Sequence, residues 1–433
     1  MISKSNGGQS MENTWLRLDN AAKLYPAKMS AYDTCVYRVY AILKEKIQPD
    51  QLDQSISDLK KRFPTFYVKL RNGFFWNYYE PNDQNVILKP ETGEITRLLD
   101  GRNNNGYLFS VQYNQSRISV EAFHALGDGA AAIEYLNALV FRYLTLLGHK
   151  IDPMGRIATI DQESNKEEME DSYEKYYTGS QKREKRYNNA YQIKGTPFPH
   201  LTECGVLHGV MDSAALLNAA HRYQTTVTKF LTVLLVQSIW LAGGDDAEKQ
   251  TLPICINIPV NMRKRLPSKT FRNFALFFTA KVDAMNTMGT FAEILSQIER
   301  EFEHNSSIYS LQRLLNANVS VEKSWWIACL PLAIKRIAIN AVAHTINDNH
   351  LTSSLSNLGQ IHLPDGMIPL IDHYGIIPPL GADMPVAVTA ISSCGKTEIT
   401  FMRKIRETEV EKNFFKSLES EGIHTTITTN QPE

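Results

Sequence analysis

Between Arg117 and Leu147 the hydrophobic period changes from two to about 3.6 within a few residues, and this switch constrains the fold more than any other feature of the chain. Upstream, GYLFSVQY (Gly106 to Tyr113) and RISVEAFHA (Arg117 to Ala125) alternate on either side of the polar turn NQS, the pattern of a hairpin. Downstream of Gly129, the residues Ile133, Leu136, Val140, Tyr143 or Leu144, and Leu147 recur at helical spacing, with Gly148 as the stop. The junction, where a strand ends and a helix begins, reads FHALGDG (Phe123 to Gly129).

The same patterning along the chain predicts mixed α/β or α+β architecture. In the first part, TCVYRVYAIL reads as a strand, PDQLDQSISDLKKRF as a helix led by Pro49 and Asp50, and Phe66 to Leu70 as a second strand. Residues 152–199 turn polar and charged and read as a crossover, mobile in part or carrying solvated helix faces. Beyond it come a strand at Gly205 to Met211, a helix from Ser213, and the apolar helix VTKFLTVLLVQSIWLAG with Thr225 or Thr226 as cap. LPICINIPVN and NFALFFTAKVD read as buried strands, followed by helices over Thr290 to Glu303 and Tyr309 to Val321. A hairpin around CGK, a helix from Glu409 to Leu418 and a strand from His424 to Thr429 end the pattern.

A chain of 433 residues exceeds one ordinary core and predicts two large halves with a cleft between them. Its 46 basic residues balance 46 acidic ones, so nothing steers it toward nucleic acid or an anionic membrane. The five cysteines are scattered and odd in number, as expected of free thiols in a reducing compartment. The N-terminal residues lack an apolar signal region, and the expected location is the cytoplasm. The segment from Trp325 to His344 is apolar for twenty residues, but Pro331, Lys335 and Arg336 interrupt it. Each charge would cost roughly 2.5–3.5 kcal/mol in a bilayer, so a buried or half-buried helix is expected and no transmembrane segment.

At the junction, His124 has an ordinary pKa of about 6.5 and can take a proton at neutral pH. The helix that follows supplies N–H groups and a positive dipole end beside it. Asp128 can cap that helix or pair with an arginine, and Gly129 permits a tight turn or close packing. With no serine or cysteine nucleophile beside it, His124 suits direct transfer, in which it deprotonates a hydroxyl or amine that attacks a thioester. The bland alternative is a histidine that merely ends a strand.

FHALGDG resembles the H-x-x-x-D-G motif of the chloramphenicol acetyltransferase-like superfamily, which includes plant BAHD acyltransferases, nonribosomal-peptide condensation domains and alcohol acetyltransferases. A second histidine precedes the catalytic one in many relatives; here Phe123 stands in that place. IPVNMRKRLPSKTFRNFALFF (Ile258 to Phe278) resembles the run in which an arginine pairs with the motif aspartate, carried here by Arg263 or Arg265. SSLSNLG (Ser353 to Gly359) is similar to an S-N-L-G segment of alcohol acetyltransferase and condensation-like proteins, while the D-F-G-W-G motif of BAHD enzymes is absent. The overall layout looks most like bacterial alcohol acetyltransferase-like proteins.

The resemblance implies two acetyltransferase-like halves, 1–180 and 200–433, joined by a polar crossover at 181–199, each a mixed sheet flanked by helices, with a tunnel between them. It implies His124 as general base, Asp128, Gly129, Arg263 and Arg265 as support, and Ser354, Ser356, Asn357 and Asn273 as candidate oxyanion or tunnel residues. The implied co-substrate is acyl-CoA, with no bound cofactor, and the implied acceptor a small alcohol or amine. The alternatives are a condensation or acyltransferase reaction fed by an acyl carrier protein, and a non-catalytic binding module. The histidines at 344, 350, 362 and 373 do not have metal-site spacing, and no metal is expected.

Overall fold

The computed structural model describes residues 15–30, 33–93, 98–99, 101, 104–182, 189–200, 203–283, 288–338, 350–379 and 384–431. The first part of the chain carries β1 (Leu16–Arg17), β2 (Val36–Leu43), β3 (Val68–Asn72), β4 (Asn77–Pro81), β5 (Lys89–Pro90), β6 (Phe109–Asn114) and β7 (Arg117–Phe123). Among them lie α1 (Tyr25–Lys28) and α2 (Pro49–Asp58), and α3 (Gly129–Leu146) follows β7. The second part carries β8 (Gly205–Asp212), β9 (Ile254–Asn261), β10 (Ala275–Val282), β11 (Ser353–Gln360), β12 (Ile371–Ile377), β13 (Val386–Ser393), β14 (Lys396–Arg403) and β15 (Thr425–Thr429).

Among the described residues these strands form two large mixed sheets, β12-β2-β7-β6-β5 and β10-β9-β11-β13-β14-β8-β15, and a small sheet β1-β4-β3. The expected hairpin is β6 and β7, in antiparallel register from Phe109 opposite Ala122 to Asn114 opposite Arg117. The helix predicted after Gly129 is α3, which packs with α2 on the five-stranded sheet. Its near-continuous apolar surface fits that place, since Leu136, Leu139, Val140 and Leu144 are all buried. Thr226, not Thr225, caps the apolar helix Val227–Ala242, accepting from Lys229 N at 3.4 Å. That helix, with Ser213–Arg222, Phe291–Asn305 and Glu409–Ser420, covers the seven-stranded sheet and builds a second core. The CGK turn places Cys394 and Gly395 both at positive φ, 50° and 78°, as a two-residue hairpin turn requires.

Both sheets draw on the chain after residue 350. β11 joins the seven-stranded sheet, whereas β12 crosses to the five-stranded one and pairs antiparallel with β2. At that seam Gly375 stands opposite Tyr40, and a Cβ there would lie 2.2 Å from the Tyr40 ring, so only glycine fits. The charged crossover is not all solvent-facing. Glu168 is buried and takes both ends of the Arg62 guanidinium at 2.6 and 2.7 Å, while Asn165 and Glu168 form a capping box around a short 3-10 turn. Residues 183–188 of the expected crossover lie outside the described residues.

Candidate active site

His124 follows the last residue of β7, where its N–H donates to Cys35 O at 2.8 Å and continues the pairing with the chain before β2. The side chain is half-buried. Its ring stacks on Tyr25 with centroids 4.5 Å apart and meets the Tyr37 ring edge-on at 5.0 Å. The Tyr37 hydroxyl lies 2.9 Å from the carbonyls of both Gly127 and Asp128 and shares its proton between them, bracing the loop.

Asn273, 149 residues further along, acts beside the histidine's own backbone carbonyl in setting which ring nitrogen carries the proton. Its Nδ2 faces only acceptors: His124 O at 3.0 Å, Asp19 Oδ2 at 3.3 Å and Ala125 O at 3.4 Å. The amide oxygen is therefore the atom turned to His124 Nδ1, at 3.3 Å. An amide oxygen only accepts, so Nδ1 carries the hydrogen and Nε2 keeps its lone pair. Burial pushes the His124 imidazole below its ordinary pKa, against the opposing pull of Asp128, its own backbone carbonyl and Asn273. The ring is a neutral base at neutral pH.

Asp128 caps α3, accepting from Ala131 N at 3.1 Å. Its other oxygen takes Arg263 Nη1 and Phe274 N, each at 2.8 Å. Burial alone would raise the Asp128 carboxyl, but Arg263 and these backbone donors hold it below the usual carboxylate value. Arg263 is fixed in turn: Nε donates to Thr270 O at 2.9 Å and Nη2 to Arg272 O. The choice left open by the sequence falls on Arg263; Arg265 is exposed and makes no ion pair among the described residues.

The structure changes the reading of three other residues. Gly129 does not have a positive φ, and a Cβ there would make ordinary contact with Leu358 at 3.4 Å, so no tight turn depends on it. Gly127, which the sequence reading passed over, is tighter: its Cβ would lie 3.0 Å from both Ala131 Cβ and Phe271 O. Asn357 turns its amide to Thr228 Oγ1 at 3.1 Å and accepts from Gly359 N at 2.9 Å, so it serves the end of β11. Ser354 and Ser356 lie on the half-buried face of β11, opposite the buried Leu355, and Leu358 on the same strand reaches the start of α3. Asp19, Tyr25 and Tyr37 were not singled out in the sequence; each is an isolated residue whose role arises only when three segments meet.

Away from this site, His373 lies between two carboxylates, with Nδ1 2.6 Å from Asp372 Oδ2 and Nε2 3.0 Å from Glu398 Oε2. Glu398 also accepts from Tyr40 at 2.5 Å and faces His208 Nδ1 at 3.2 Å. His344 lies outside the described residues, and among the described residues no three His, Cys, Asp or Glu side chains converge on a metal position. None of the five cysteines, all of them described, forms a disulfide. No single described helix is long and apolar enough to cross a membrane. Of the apolar segment at Trp325 to His344, residues up to 338 are described: a short helix Trp325–Cys329 and a helical stretch 332–338, with Trp325 and Ile337 exposed.

No protein-family model matches the sequence, and no curated protein matches it. Solved structures do match in fold. The trichothecene 15-O-acetyltransferase of Fusarium sporotrichioides aligns with a TM-score of 0.59 at 10% identity, over 96% of each chain. Polyketide synthase associated protein 5 from Mycobacterium tuberculosis aligns with a TM-score of 0.56 at 11% identity, over 95% of this chain and 97% of that one. The starter condensation domain of rhizomide synthetase, solved in complex with C8-CoA, aligns with a TM-score of 0.56 at 11% identity over 94% of each chain. At such identities the likeness is one of architecture, and it agrees with the two mixed sheets and their flanking helices: the chain has the chloramphenicol acetyltransferase-like fold of condensation domains and acetyltransferases.

Proposed function

We propose that this protein transfers an acyl group from a thioester to an alcohol or amine acceptor, with His124 as general base and no covalent acyl-enzyme. The observation that carries this reading is the neutral, half-buried imidazole whose Nδ1 faces the Asn273 amide oxygen and whose Nε2 has no hydrogen-bond partner among the described residues. In the proposed reaction Nε2 takes the acceptor's proton as its oxygen or nitrogen bonds to the thioester carbonyl carbon. When the tetrahedral intermediate collapses, the carbon–sulfur bond breaks and the imidazolium returns the proton to the departing thiolate. The donor we favour is acyl-CoA, acetyl-CoA first, reaching His124 along a tunnel between the halves 1–180 and 200–433. The fold neighbours support a thioester donor, since one is a complex with C8-CoA and another an O-acetyltransferase.

The oxyanion needs a donor within about 2.7–3.1 Å. Asn273 is better read as the holder of the ring, because its Nδ2 is already committed to Asp19 and two carbonyls. Asn357 is committed to Thr228. Ser354 and Ser356 are the candidates we keep. A carrier-protein-borne donor is the second reading, supported by the match to synthetase condensation domains. The test is thiol release from acetyl-CoA and longer acyl-CoAs against a panel of alcohols and amines. Acceptor-dependent release supports the proposal; release only from carrier-bound thioesters favours the second reading, and none from either favours a binding module.

A further inference from the structure

Asp19 is fully buried and lies in the chain between β1 and α1, far in sequence from both His124 and Asn273. Among the described residues, the hydrogen-bond and ion-pair partners of its carboxylate are all donors. Oδ1 accepts from Ala22 N at 2.8 Å; Oδ2 accepts from Asn273 N and Asn273 Nδ2, both at 3.3 Å, and faces Arg272 Nε at 3.7 Å. Burial raises the Asp19 carboxyl above its ordinary pKa, against the pull of Arg272, Ala22 and Asn273; its Oδ2 acts as an acceptor toward Asn273, and an acceptor aimed at one end of an amide fixes that end as NH2. Arg272 is itself held by Met169 O at 3.1 Å and by Arg17 O, so the group is anchored on both sides.

The orientation of the Asn273 amide is not neutral for chemistry. Turned the other way, its NH2 would face His124 Nδ1 and require a lone pair there, which places the hydrogen on Nε2 and leaves that nitrogen no lone pair to take a proton. We infer that Asp19 and Asn273 are a pair of positioning residues, Asp19 holding the Asn273 backbone and amide so that Asn273 keeps His124 in the tautomer with Nδ1–H and a free Nε2. Tyr25, from the same N-terminal segment, holds the plane of the ring by stacking on it at 4.5 Å. The N-terminal segment thus acts on the motif histidine without touching the reacting atoms. The inference rests on the reading of His124 as base for its consequence in catalysis, but not for its statement about the ring.

The test separates the two. The full chain labelled with 15N-histidine, with the His124 signals assigned by difference against His124→Gln, reports the tautomer from the two ring-nitrogen shifts above the pH of titration. The parent is expected to show Nδ1–H, and Asp19→Asn and Asn273→Ala to shift the population toward Nε2–H. Where acceptor-dependent turnover is measured, kcat in these variants should fall roughly 10- to 100-fold as the base is misplaced, with KM for the thioester changed little. If Asp19→Asn does not fold, Asn273→Ala reads the same link, because it leaves Asp19 its contacts with Ala22 and Arg272. A parent ring in the Nε2–H form overturns the inference, as do folded variants that keep the parent's tautomer and kcat. A parent that turns over no thioester, yet shows Nδ1–H lost in the variants, overturns the acyl-transfer reading alone.

Discussion

Arg263 Nη1 reaches Asp128 Oδ2 at 2.8 Å across 135 residues of sequence, and the same oxygen takes the backbone N–H of Phe274. The ion pair ties the first turn of α3 to the segment between β9 and β10. It thereby joins the loop that carries His124 to the segment that supplies Asn273.

Removing Asp128 should therefore cost stability as well as activity. Breaking one partner of a buried pair costs about 3–5 kcal/mol, and losing the helix cap adds about 1 kcal/mol. Asp128→Ala is expected to lower the denaturation midpoint by a corresponding amount, and Arg263→Lys to lower it too, since an ammonium cannot serve Asp128, Thr270 and Arg272 together. Urea titrations followed by circular dichroism check both. A fully stable but inactive Asp128→Ala would instead give the carboxylate a direct chemical part.

The two motif glycines should respond differently. At Gly127 an added methyl meets Ala131 and the Phe271 carbonyl at 3.0 Å, so Gly127→Ala should destabilise by about 1–3 kcal/mol. At Gly129 the added methyl finds ordinary contact with Leu358 and stands in a helix, so Gly129→Ala should be neutral or slightly stabilising. Thermal melts of the two variants side by side decide it.

A further prediction concerns the seam between the sheets, where Tyr40 on β2, His373 on β12, His208 on β8 and Thr400 on β14 surround the buried Glu398 carboxylate, and Lys396 and Asp372 pair beside His373. Burial opposes charge on both partners, yet hydrogen bonds and attraction from His208 and His373 hold Glu398 well below the usual carboxylate value, and those from Glu398 and Asp372 hold His373 above the usual imidazole value. A depressed carboxylate contributes stability above its unfolded pKa of about 4.3, lost as pH falls through the folded value. A raised imidazole contributes below about 6.5, and that is lost as pH rises through the folded value. The pair should stabilise most between about pH 4.3 and 6.5, and melting temperature should decline above that window. In His373→Gln the decline should flatten; an unchanged slope would show that the ring is neutral in the folded protein.

What the sequence made legible was local. The β7–α3 junction could be read because the period of a hairpin and that of a helix are each written in neighbouring residues, and the arginine partner of Asp128 could be narrowed to Arg263 or Arg265 because both sit in one short run. β12 could not be placed in the five-stranded sheet, since IDHYGII reads as a strand for either sheet and its register with β2 is set by the fit of Gly375 against Tyr40. Nothing in the sequence singles out Asp19. Its task appears only when the N-terminal segment, the His124 loop and Asn273 are brought together. Asn273 stood among the candidate oxyanion or tunnel residues because its residue type offers a donor; what that donor faces is set by geometry the sequence does not carry.

The most direct test is the rate of acceptor-dependent thiol release by the parent and by His124→Ala, on the same thioester and acceptor, across pH. The imidazole is half-buried beside Tyr25 and Tyr37, so its removal should leave the fold intact, while loss of general-base catalysis should cost roughly 10²–10⁴ in rate. Because burial lowers the His124 pKa, the parent's rate should rise with pH through a single ionisation below about 6.5, a limb the variant lacks. A folded His124→Ala that turns over within a few-fold of the parent and keeps that limb would contradict the account.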